Sequence, residues 1–77
     1  MNTAPILNDI LKELERAERL HSWEGYDILH MTAKVSGEGG EALREANKIH
    51  EGGGSLAALR IEVVQTAATC VRLLKNL

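Results

Sequence analysis

Residues 59–74 read LRIEVVQTAATCVRLL, and residues 34–46 read KVSGEGGEALREA. In the first stretch Leu59, Val63, Ala67, Cys70 and Leu74 step by three or four, and Leu77 continues the row. Glu62, Gln65, Thr69, Arg72 and Asn76 step the same way on another face. Residues three or four apart share one side of a helix. The spacing therefore predicts a helix from about Leu56 to Asn76 with an apolar and a polar stripe. In the second stretch the polar row is His30, Lys34, Glu38, Glu41, Glu45 and Lys48. Its plausible inward positions are Ile28, Met31, Val35, Ala42, Ala46 and Ile49. That predicts a helix from about Asp27 to Glu51. SGEGG, residues 36–40, is the discordant part. Glycine costs about 1 kcal/mol against alanine inside a helix. Gly37, Gly39 and Gly40 together call for a close helix approach to justify them.

Working outward, EGGGS at 51–55 reads as the connector between the two helices. Gly52 suits a helix C-cap and Ser55 the cap of the next helix. Upstream, Ile6, Ile10, Leu14 and Ala17 recur at helical spacing from about Pro5 to Leu20, with Leu7 and Leu11 widening the stripe. Pro5 fits the first turn, where its missing N–H costs nothing. HSWEGYD, residues 21–27, interrupts the pattern and reads as a loop with an aromatic anchor. No strand-like alternation or repeat stands out. The expected class is all-α, a single domain over residues 1–77. Two long helices would form a hairpin, preceded by an N-terminal helix, and the whole would assemble into a dimeric or tetrameric bundle.

Composition supports that expectation. With 77 residues, no Phe, one Trp and one Tyr, the core must be built from small aliphatic side chains. A chain this short buries about 60% of its unfolded surface, and association is a common remedy for a thin core. The net charge of −2 carries no basic excess of the kind that marks nucleic-acid binding. No apolar run approaches the roughly 18 residues of a membrane span. The first twenty residues lack the positive start of a signal peptide. A single cysteine fits a reducing compartment, so the expected location is cytoplasmic.

Glu38 and Glu41 sit three apart on one predicted helix, Glu62 and Gln65 three apart on the next. If the helices pack side by side, their carboxylates and the amide oxygen can converge. Oxygen-rich clusters suit Mg²⁺ or Mn²⁺, the ions that accompany phosphates. On spacing alone two solvated helix faces explain the same pattern. The histidines His21, His30 and His50 form no zinc-type pair, and Cys70 reads as a small hydrophobe in an apolar stripe.

KVSGEGGEALREA followed by LRIEVVQTAATCVRLL resembles the MazG-like all-α nucleoside triphosphate pyrophosphohydrolases. That family carries EExxE on one helix and ExxD on the next. Here the frames read Gly37-Glu38-Gly39-Gly40-Glu41 and Glu62-Val63-Val64-Gln65, with HSW similar to the family's aromatic-containing entry segment. The resemblance covers about residues 6–77. It implies Mg²⁺- or Mn²⁺-dependent cleavage of a nucleoside triphosphate between its α and β phosphates, giving a monophosphate and pyrophosphate. It implies catalytic roles for Glu38, Glu41 and Glu62, and metal ligation by those three with Gln65. It also implies a homo-oligomer. Lys34 and Arg72 lie on the stripes from which a cation could reach phosphate. Trp23 could stack on a nucleobase or plug the gap between loop and core. Two departures stand out: Gly37 replaces the first Glu of EExxE, and Gln65 replaces the Asp of ExxD. Each removes an acid, which lowers the expected metal affinity. The alternatives are a catalytically impaired nucleotide-binding protein and a structural helical oligomer.

Overall fold

The computed structural model describes residues 2–77. Three helices follow one another, α1 (Ala4–Leu20), α2 (Ile28–His50) and α3 (Leu56–Lys75), with no strand among the described residues. No described helix is long and apolar enough to cross a membrane.

The helix ends show why the segments start and stop where they do. Pro5 occupies the first turn of α1. Asp27 caps α2 by accepting from the His30 N–H at 2.8 Å, and Ser55 caps α3 by accepting from the Ala58 N–H at 3.0 Å. The end of α2 is a Schellman turn: the Gly53 N–H donates to the Lys48 carbonyl at 2.8 Å and the Gly52 N–H to the Ile49 carbonyl at 3.0 Å. Gly52 takes φ +89°, a conformation that disfavours any side chain.

The connector at 51–55 returns α3 antiparallel along α2. Both α1 and α2 pack on α3, and they do not pack on each other. Asp9 meets Arg60 at 2.8 Å and Glu18 meets Lys75 at 2.8 Å, so α1 runs parallel to α3. These pairs are exposed and contribute little stability. Apolar burial is thin. Leu14, Met31 and Ala68 are the buried hydrophobic residues, supported by half-buried Ile6, Ile10, Val35, Ala42 and Ile49.

Three sequence expectations need correction. Ile28, placed inward by its spacing, is 60% exposed, because it opens α2 beyond the stretch that α3 covers. The apolar row of α3 faces outward, with Val63, Leu74 and Leu77 exposed. Its polar row is the one turned in: Arg72 is buried, and Glu62, Gln65 and Thr69 are half-buried. The reason is the position of α3 beneath the gap between α1 and α2, where its polar row forms the floor. Lastly, a Cβ built on Gly37, Gly39 or Gly40 would meet nothing within 4 Å. No element of the chain approaches closely enough to require those glycines.

Alanine should therefore be the better residue at two of them. Gly37→Ala and Gly40→Ala are each expected to raise unfolding free energy by about 1 kcal/mol. Gly52→Ala should lower it by about 1–2 kcal/mol, since its φ is left-handed. Urea denaturation at one fixed protein concentration measures all three, and a loss of stability in Gly37→Ala would contradict the open surroundings.

Candidate active site

A cleft of about 570 Å³ lies in the gap between α1 and α2, floored by α3. Glu13 and Arg16 of α1 form one wall, and Lys34 and Glu38 of α2 the other. Gln65 and Arg72 of α3 lie on the floor, and Trp23 and Tyr26 close one end from the 21–27 loop. The cleft thus gathers three cations, two carboxylates and two aromatic rings.

The loop is held by its own turn and by α3. The Tyr26 N–H donates to the Trp23 carbonyl at 2.9 Å, and Gly25 supplies the φ of +82° that the turn requires. This turn sets the Trp23 and Tyr26 rings parallel, 6.3 Å between centres. The Arg72 guanidinium lies 4.2 Å from the centre of the Trp23 ring and donates to the His21 carbonyl at 2.6 Å. Lys34 Nζ stands 5.9 Å from the Tyr26 ring centre. Trp23 is half-buried, so it anchors the loop while presenting surface to the cleft.

Beside Glu38 the acidic cluster forms. One carboxylate oxygen from each of Glu38, Glu41 and Glu62 lies within 4.8 Å of the others. The i, i+3 spacing on α2 puts Glu38 and Glu41 on one side, and the antiparallel hairpin brings Glu62 opposite them. Glu38 Oε2 and Glu62 Oε2 are buried without a hydrogen-bond partner. A buried acceptor without a donor is unfavourable, and two in one cluster of oxygens make a donor set that suits a hard divalent cation. Burial, then the charges of Glu41 and Glu13, push the Glu38 carboxyl above its ordinary value, with Lys34 and Arg16 opposing. Burial also raises Glu62, followed by the adjacent Glu41 carboxyl and the charges of Glu38 and Glu45.

Of the residues singled out from sequence, Trp23, Lys34, Glu38, Gln65 and Arg72 line the cleft, and Glu41 and Glu62 adjoin it through Glu38. His30 is exposed and turned to Asp27, with Nδ1 2.9 Å from Oδ1. Sequence reasoning missed Glu13 and Arg16; Tyr26, read like Trp23 as either a base-stacking ring or a loop anchor, lines the cleft. The Arg16 Nε–H donates to Glu13 at 2.8 Å, and both charges act on Glu38. Their i, i+3 spacing on α1 was the available signal, but it looks like any solvated ion pair. Comparison with protein-family models, with curated proteins and with solved structures finds no match to this chain.

A carboxyl whose pKa is raised by folding binds more protons in the folded state than in the unfolded one, over the window between its ordinary 4.5 and its raised value. Stability contributed by Glu38 and Glu62 therefore falls as pH rises through that window. In chelator-treated protein, Glu38→Gln/Glu62→Gln should melt about 4 °C higher than wild type at pH 7. The difference should shrink toward pH 5. Differential scanning calorimetry at the two pH values checks this, and a double variant less stable at pH 7 would show that the charges are not in conflict.

Proposed function

We propose that the chain is a nucleoside triphosphate pyrophosphohydrolase that works with Mg²⁺ or Mn²⁺. The observation that supports this reading best is the acidic cluster's position. Three converging carboxylates sit at the edge of a cleft that also holds cations and aromatic rings. Glu38, Glu41 and Glu62, with the amide oxygen of Gln65, are the residues that would hold the ion. When bound, it supplies positive charge against the phosphates and acidifies an attacking water.

The chain's own groups supply the rest. Lys34 stands across the cleft from Arg16, which is paired with Glu13, and Arg72 adds positive charge on the floor. Preorganised charge of this kind favours the transferring phosphoryl group. Trp23 and Tyr26 offer aromatic surface to a nucleobase. Glu38 is the cluster member that lines the cleft, where its carboxylate can orient the attacking water and take its proton. Water's oxygen attacks the α phosphorus, the bond to the β phosphate's bridging oxygen breaks, pyrophosphate leaves, and the monophosphate remains.

Gln65 and Gly37 favour a slow enzyme. Gln65 brings an oxygen without charge, and a Cβ on Gly37 would meet only open space, so no side chain there supplements the cluster. A screen of nucleoside triphosphates with Mg²⁺ and Mn²⁺, read by pyrophosphate release, tests the proposal. Glu38→Gln and Glu41→Gln should each cut turnover by about 100-fold or more. Gln65→Asp should tighten Mn²⁺ binding by about tenfold. Calorimetric nucleotide binding without pyrophosphate release would select the impaired, nucleotide-binding alternative. Neither binding nor release from any triphosphate would overturn both readings.

A further inference from the structure

Three cations line the cleft, and they differ in what holds them. Arg72 is buried and already engaged, with its guanidinium against the Trp23 ring and a bond to the His21 carbonyl. Lys34 is an exposed ammonium on a flexible stem, near the Tyr26 ring. Arg16 is gripped from one side only. Its Nε–H donates to both oxygens of the Glu13 carboxylate at 2.8 Å, and an Nη2–H donates to Oε1. The Glu13 side chain is 12% exposed and that of Arg16 is 44% exposed. The acid is the enclosed member of the pair, and the guanidinium covers it.

A guanidinium carries five N–H donors in a planar fork. Glu13 occupies the Nε side of that fork. The two Nη1 donors and the second Nη2 donor have no partner among the described residues. A complete second edge is therefore left over, Nη1 with Nη2, of the kind that meets two oxygens of one phosphate.

Helix register says where that edge stands. Leu20 ends α1 at the aromatic loop, and Arg16 lies one turn back, about 6 Å further along the helix. Its charge is felt at Glu38, a member of the carboxylate cluster. Arg16 thus stands between the aromatic end of the cleft and the acidic end. A nucleotide with its base against Trp23 and Tyr26 lays its phosphates there.

We infer that Arg16 is the phosphate fork of the cleft and that Glu13 is a positioning residue that aims it. The inference rests on the phosphate-site reading of the cleft and not on hydrolysis. Glu13 is a costly neighbour for an anion site, because its own charge repels the ligand. It belongs there only if holding Arg16 outweighs that repulsion. An arginine free to swing must be ordered when the ligand arrives, and one already held by a carboxylate is ordered beforehand.

Calorimetric titration with inorganic tripolyphosphate in excess Mg²⁺ tests this without a base on the ligand. Arg16→Lys keeps the charge and removes the fork, and it should bind about tenfold more weakly than wild type. Glu13→Ala should bind about fivefold more weakly. The sign of that second change is decisive. If Glu13 were a neighbour and nothing more, its removal would take away a repelling charge and tighten the binding. Should Glu13→Ala lose its helices by circular dichroism, Glu13→Gln replaces it with the same expected sign. Unchanged affinity in Arg16→Lys overturns the fork. Unchanged or tighter binding in the Glu13 variant overturns the positioning role. A wild-type chain that does not bind tripolyphosphate overturns both. Pyrophosphate release from nucleoside triphosphates is read separately, so binding with the expected losses but without release upholds this inference and overturns the hydrolase.

Discussion

Arg72 stands at the point where the loop, α3 and the cleft meet. It is 8% exposed, its guanidinium lies 4.2 Å from the centre of the Trp23 ring, and it donates to the His21 carbonyl at 2.6 Å. A cation removed from water is unfavourable unless it finds donors' partners and a polarisable neighbour. The carbonyl provides the first and the indole face the second. Those contacts exist only if the 21–27 loop folds back over the last turns of α3. They therefore fix the rotation of α3 about its axis. Once Arg72 points inward, Thr69 and Gln65, one and two turns earlier, must point inward with it.

That rotation explains the acidic cluster. With its polar row on the floor of the gap, α3 presents Glu62 to α2, where Glu38 and Glu41 already share a side. The folded state then holds three carboxylates within reach of one another, with two buried oxygens lacking donors. Their raised pKa values express the same conflict in another form. The conflict is local, and it is of the kind that a bound cation or proton relieves. Binding there and stability of the fold are thermodynamically linked, since anything that binds only the folded cluster stabilises the fold.

Much of the backbone was legible in the residues themselves. Ser55, Gly52 and Pro5 mark helix ends by local chemistry that needs no tertiary contact, and the structure puts them to those uses; Asp27, read as the start of α2, is its cap. The convergence of Glu38, Glu41 and Glu62 followed from periodicity plus a short connector. What periodicity cannot supply is which of two faces turns inward. α3 has an apolar face and a polar one, and the hydrophobic effect alone favours burying the first. The buried Arg72 reverses that preference through a contact with residues about fifty positions away, which no local window contains. Glu13 and Arg16 were hidden for a related reason. An i, i+3 pair on an amphipathic helix has the same signature whether it faces solvent or a cleft.

The outward apolar row and the inward polar row of α3 are two aspects of one arrangement. A helix with a polar and an apolar face cannot bury both within three helices, because α1 and α2 both lie over the cleft side of α3. Turning the polar face in builds the cleft but leaves Val63, Leu74 and Leu77 in water. Turning the apolar face in would bury them but would expose Arg72, release the loop and scatter the cluster.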